Sequence, residues 1–234
     1  MKRQQWIGLS AATAILLGLV GGPASADETV SIGGSRAVLI KPKAPHASVI
    51  LMPGGSGAIA AGDNGDIHGL NFNQLVRTRN AYAARGLAVL VVDAGTPLAA
   101  AVQYMAAIKR PVTVIATSRG TIRAAEGIAS GARPDALVLT SGLLSPESGS
   151  GQNVMSILGS PASLPRTLVI HHREDSCKLT LPAGVDPFVK WSAGRARVVW
   201  VSGGTDQGDA CEAGAHHGFN GQDGQVVGIA AGFR

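Results

Sequence analysis

The sequence is poor in charge and in aromatic rings, which make up 15% and 4% of its 234 residues. So little charge beside 45% hydrophobic side chains excludes a disordered chain, which shows the opposite balance. The heptads and the Glu, Lys and Leu excess of a coiled coil are missing, as are internal repeats and low-complexity tracts. Metal-ligand patterns such as HExxH, His-x-His or a Cys/His cluster are absent, and no metal or other cofactor is expected. No Lys/Arg cluster stands ready to neutralise several phosphates, so nucleic acid is not an expected partner despite a formal charge of +5. What is abundant is glycine, at 32 residues about twice the usual share. Collagen would place it at every third position; here it implies a globular chain with many tight turns.

Residues 1–26 read as a cleaved leader. Lys2 and Arg3 precede an uncharged, mostly apolar stretch from Trp6 to Gly22, and Ala24-Ser25-Ala26 is a small-x-small cleavage site before Asp27. The expected product is one domain, 27–234, periplasmic or secreted and without a stable membrane anchor. Loss of Lys2 and Arg3 takes two of the five net positive charges with it. In an oxidising compartment Cys177 and Cys211, an even count with a single possible pairing, are expected to form a disulfide.

Downstream, short β-branched runs alternate with Ala-rich segments, the rhythm of a mainly parallel sheet with helices on both faces. Thr29–Ile32 and Arg36–Ile40 read as an opening hairpin around Gly33-Gly34. Ala47–Met52, Leu87–Asp93, Val112–Thr117, Ala136–Thr140, Thr167–His171 and Ala196–Val201 read as buried strands. Asn71–Arg85, Pro97–Lys109, Arg119–Ser130 and Gln222–Phe233 read as helices, the first ended by Gly86. Ser141 to Pro165 reads as a loop with one short helix near Val154–Leu158, too short for a large cap.

The strongest local signal is the strand Val112–Thr117 running through Ala116-x-Ser118-x-Gly120 into a helix. Small residues at 116 and 120 permit a sharp turn that exposes the serine at a helix N-terminus, where negative charge is favoured; a plain helix cap is the competing reading. Upstream, Pro53-Gly54-Gly55-Ser56-Gly57 follows a buried strand and presents backbone N–H groups, as an oxyanion site requires. The Gly-Lys-Ser/Thr ending of a phosphate loop is absent. After the strand Thr167–Ile170 comes His171-His172-Arg173-Glu174-Asp175-Ser176-Cys177. Near the C-terminus comes Cys211-Glu-Ala-Gly-Ala-His216-His217-Gly218-Phe219. The order is serine, acid, histidine.

With ATSRGT, HHREDSC and HHGF in that order, the chain resembles the α/β-hydrolase superfamily, in its dienelactone-hydrolase-like or esterase-like branch, over essentially all of residues 27–234. The resemblance implies an α/β-hydrolase fold with a minimal lid. It makes Ser118 the nucleophile, Asp175 the acid and His217 the base, with the oxyanion held by the backbone N–H groups of Arg119, Gly55 and Ser56. Glu174 is the alternative acid and His216 the alternative base. Two departures are the absence of a His before Gly54-Gly55 and the presence of Ala rather than Gly at 116. The implied activity is hydrolysis of a small-molecule ester. A peptidase or acyltransferase would use the same residues, and a non-catalytic binding protein of the same fold is the competing class. His171 and His172 are expected to pack or hydrogen-bond behind the acid loop, His46, His68 and Asp93 to be structural, and the Arg119 side chain to contact an anionic group or stay solvated.

Overall fold

Strands that are mostly apolar and buried at every position need cover on both faces, and that is the arrangement of the middle of this molecule. The computed structural model describes residues 27–234 together with Met1; the expected leader lies outside the described residues. The elements are β1 (Asp27–Ile32), β2 (Ser35–Ile40), β3 (Ala47–Met52), α1 (Gln74–Arg77), α2 (Arg79–Ala83), β4 (Leu87–Val92), α3 (Leu98–Ile108) and β5 (Val112–Thr117). There follow α4 (Gly120–Ala129), β6 (Ala136–Thr140), α5 (Val154–Leu158), β7 (Thr167–His172), α6 (Val185–Trp191), β8 (Ala196–Val201) and α7 (Asp223–Ala231).

The eight strands form one sheet in the order β1-β2-β4-β3-β5-β6-β7-β8. β1 and β2 form an antiparallel hairpin, β2 pairs antiparallel with β4, and every other pairing is parallel. Gly33 and Gly34, at φ 59° and 84°, make the two-residue turn whose two left-handed positions glycine accepts without strain.

Period-two alternation divides the core. On β4, Ala88, Leu90 and Val92 face one layer, made by α3, α4, α5 and α6. Leu87, Val89 and Val91 face the other, made by α1, α2 and α7. Among the described residues no helix is long and apolar enough to cross a membrane.

Three features depart from the sequence reading. Ala196–Val201, expected as a buried strand, is the edge of the sheet, with only Ala196 and Val201 buried and Arg197 exposed. The single helix expected over Asn71–Arg85 starts at Gln74, capped by the Asn73 side chain, and breaks at Thr78 (φ −100°, ψ 2°). There the Thr78 hydroxyl donates to the Gln74 carbonyl four residues back, a bond that competes with regular helix. The helix α6 carries Pro187 in its first turn, where a missing N–H costs nothing. It buries Phe188 completely, and it was not among the expected elements. The short helix within the Ser141–Pro165 loop falls at Val154–Leu158 as expected, with Asn153 and Ser156 capping each other.

Leu90 lies in the third strand of the sheet order and is fully buried. Leu90→Ala is expected to lower unfolding stability by about 2–5 kcal/mol, read as a shifted midpoint in urea at unchanged slope.

Candidate active site

Parallel strands deliver their C-terminal ends to one edge of the sheet, where open α/β sheets hold their ligands. Ser118 follows β5 directly and has φ 51°, a left-handed conformation uncommon for a residue with a side chain. The peptide N–H of Ser118 donates to the Thr140 carbonyl at 3.0 Å, and its carbonyl accepts from the Thr121 N–H at 2.9 Å and hydroxyl at 2.6 Å. Gly120 has no alternative: a Cβ there would run into the carbonyl oxygens of Met52 and Pro53. Ser118 is thereby half-exposed at the start of α4.

The glycine-rich turn after β3 stands beside it. A Cβ on Gly54 would lie 2.9 Å from the Ser118 Cβ. The Gly57 N–H closes the turn onto the Gly54 carbonyl at 3.0 Å. Among the described residues none accepts a hydrogen bond from the N–H of Gly54, Gly55 or Ser56. Asp93 accepts from the N–H groups of Ile59 and Ala60 at 3.1 and 3.3 Å and ties down the chain beyond the turn.

The cleft in front of these groups has a volume of about 530 Å³. Gly54, Gly55, Ser56, Ser118 and His217 line it, with Cys211 and the 82%-exposed Phe72 at its rim. Asp175 lies behind His217, only 2% exposed. The His217 Nδ1 is 3.1 Å from Asp175 Oδ2, while the Cys177 N–H donates to Asp175 Oδ1 at 3.0 Å. Ser118 Oγ forms no hydrogen bond among the described residues and faces the cleft it shares with His217.

Two polar groups here carry no local signal in the sequence. The buried Thr180 hydroxyl donates to Asp175 Oδ2 at 3.0 Å and is 2.9 Å from His217 Nδ1. Ser141, at φ 41°, donates from its hydroxyl to the His217 carbonyl at 2.8 Å. Both sit in segments without periodicity, and only the closed fold brings them to the histidine.

The alternative residues lie elsewhere. Glu174 is exposed, and His216 stacks on His172 with centroids 4.1 Å apart, its Nδ1 3.4 Å from the Glu174 carbonyl. His172, Glu174 and His216 bring possible ligand atoms within 4.8 Å of one another. Both His172 ring nitrogens are already engaged, however, Nδ1 by the Glu174 N–H at 3.1 Å and Nε2 by the Gly203 carbonyl at 2.9 Å. Among the described residues, that leaves a cation only the Glu174 carboxylate and the Nε2 of the half-buried His216 without a hydrogen-bond partner. Cys177 and Cys211 are joined in a disulfide.

His171 packs edge-on against Trp200 and lies 3.6 Å from Asp175 Oδ2. Burial pushes its pKa down to about 4, against the opposing pull of the Asp175 carboxylate.

No protein-family model matches the chain, and no curated protein matches it. Solved structures do match. A dienelactone hydrolase from Anabaena variabilis ATCC 29413 aligns over 89% of this chain and 95% of its own, with TM-score 0.60 and 15% identity. The chain has the α/β-hydrolase fold. The esterase domain of a Rhodothermus marinus protein aligns over 88% of this chain and 98% of its own, at TM-score 0.59 and 12% identity. An alpha-beta serine hydrolase homologue from Coxiella burnetii covers 88% and 95%, at 0.58 and 11%. At these identities the α/β-hydrolase fold itself is what is shared, and what this chain does rests on its own cleft.

His171 makes stability depend on pH. Its folded value of about 4 lies below the ordinary 6.5, so the unfolded chain takes the proton first as pH falls. Stability is complete above pH 6.5 and declines toward pH 4 by up to about 3 kcal/mol. Urea unfolding of His171→Gln across that range should show a shallower decline than the native protein.

Proposed function

We propose that this protein is an exported serine hydrolase acting on carboxylic esters. The observation that carries the reading is the Asp175–His217 contact at 3.1 Å, made behind a histidine that shares its cleft with a serine held at φ 51°. The dienelactone hydrolase and esterase names of the solved structures with this fold point to the same chemistry.

In this reading Asp175 accepts a hydrogen bond from the protonated Nδ1 of His217, which leaves Nε2 with the free lone pair. Ser118 Oγ attacks the ester carbonyl while His217 Nε2 takes its proton. The carbonyl oxygen becomes an oxyanion that receives hydrogen bonds from the N–H groups of Arg119, Gly55 and Ser56, donors fixed in place before charge develops. The tetrahedral intermediate collapses, and the alcohol departs with the proton from Nε2. Water, deprotonated by His217, attacks the acyl-enzyme. The acid leaves and Ser118 recovers its proton. Thr180 holds the imidazole at Nδ1, and Ser141 holds the His217 main chain at its carbonyl. The short Ser141–Pro165 segment leaves the cleft open to small or extended esters.

The disulfide belongs to this reading. Cys177 follows Asp175 by two residues and Cys211 lies at the cleft rim six before His217, so one covalent bond joins the loops carrying acid and base. It also suits export to an oxidising compartment.

Two outcomes are expected. A fluorophosphonate probe should label the native protein and not Ser118→Ala, whose aryl-ester hydrolysis should fall by at least about 10³-fold; an unlabelled native protein, or a labelled variant, refutes the assignment. Reduction of the disulfide should cost about 3–4 kcal/mol and should lower activity at temperatures where circular dichroism still reports folded protein. Unchanged activity in verifiably reduced protein removes the bridge from any part in catalysis.

A further inference from the structure

The turn Pro53–Gly57 is a wall between two clefts. On one side Gly54, Gly55 and Ser56 face Ser118 and His217. On the other, Gly55 and Ser56 close a second cleft of about 320 Å³ together with Arg119, Arg123 and Glu126. Arg123, on α4 and five residues past Ser118, is half-buried and has no carboxylate at ion-pair distance among the described residues. Its guanidinium donates instead to two main-chain oxygens of the wall: Nη2 to the Pro53 carbonyl, and Nη1 to the Gly55 carbonyl at 3.4 Å. Burial, with the neighbouring Arg119 charge second, pulls its pKa down, so the fold holds this cation at a cost.

The direction of those two bonds matters. In a trans peptide the carbonyl of one residue and the N–H of the next point opposite ways. Drawing the Pro53 and Gly55 oxygens toward Arg123 aims the N–H groups of Gly54 and Ser56 away from the guanidinium; none of the described residues accepts from either, and Ser56 is one of the two turn amides assigned to the oxyanion above. A cation at the carbonyl end also polarises each peptide in the sense that strengthens its N–H as a donor. Gly57 fits the same arrangement: its φ is 74°, and a Cβ there would lie 2.5 Å from Arg123 Nη2.

We propose that Arg123 is a positioning residue for the oxyanion site, a clamp that aims and polarises the turn's amides without touching substrate. This rests on the serine-hydrolase reading above. Its effect falls on the transition state, because only there does the carbonyl oxygen carry the charge those amides address.

The test is steady-state hydrolysis of p-nitrophenyl butyrate by the native protein, Arg123→Met and Arg123→Lys, with thermal midpoints measured alongside. Arg123→Met should lower kcat about 10- to 100-fold with KM within about twofold, a loss smaller than the roughly 10²- to 10³-fold that follows outright removal of an oxyanion donor. Its affinity for n-butylboronic acid, which forms a tetrahedral adduct on a serine, should fall by a similar factor. Arg123→Lys keeps the charge but lacks the fork and should recover part of kcat. A kcat equal to native in Arg123→Met overturns the clamp, whether or not the midpoint drops, since Arg123 is then at most a structural staple. Should the Met variant not fold, Arg123→Gln replaces it, with the same loss expected and the same equality overturning the proposal. A native protein that neither takes fluorophosphonate nor hydrolyses any ester refutes the underlying reading, and the clamp falls with it; an active native protein with indifferent Arg123 variants refutes the clamp alone.

Discussion

The parallel pairing of β3 with β5 is the constraint on which the rest of the cleft depends. Its register sets Met52 opposite Ala116, so the two strands end within one residue of each other and their following turns stand one strand spacing apart, about 4.8 Å. One turn carries free backbone amides and the other carries Ser118. At that spacing any side chain on Gly54 or Gly120 would occupy the gap. The small residues at these positions are the condition for closing the two turns together, and the left-handed Ser118 is the conformation that results.

The other half of the cleft comes from the far edge of the sheet and is less regular. Asp175 leaves β7 within three residues, whereas His217 lies well past the end of β8, with no periodic element between to fix where it arrives. Several polar contacts hold it: Asp175 and Thr180 at Nδ1, Ser141 at its carbonyl, and the Cys177–Cys211 bridge between the loops. Most of these groups are buried, where an unmade hydrogen bond is expensive. The interlocking of Asp175, Thr180 and His217 therefore defines one ring orientation rather than a family of them.

What was legible follows the range of the interactions concerned. The buried strands and the sharp turn at Ser118 are written in residues within a few positions of one another, and they fall where the sequence places them, within a residue or so at their ends. Apolar spacing predicts one helix over Asn71–Arg85 because it does not report the Thr78 hydroxyl turning back on the Gln74 carbonyl. The helix at Val185–Trp191 was missed because Pro187 reads as a breaker unless it is known to lie in a first turn. Thr180 follows Asp175 by five residues in a stretch without pattern, and Arg123 looks from its spacing like a solvated helix residue. Neither carries a local sign of the atoms it meets.

The sequence by itself determined the alternation of strands and helices, the glycine-rich turn after β3, the turn at Ser118 and the candidate acid and histidine segments, because each is a matter of local sterics and period. Only the tertiary structure decided which of two adjacent histidines meets Asp175, that His172 is held by backbone groups while His171 is sealed beside the carboxylate, and that a guanidinium stands behind the amide turn. Those outcomes depend on how segments dozens of residues apart close on one another. Loop closure is governed by packing and by the pairing of buried polar groups across the whole chain, and no short stretch of sequence contains both partners.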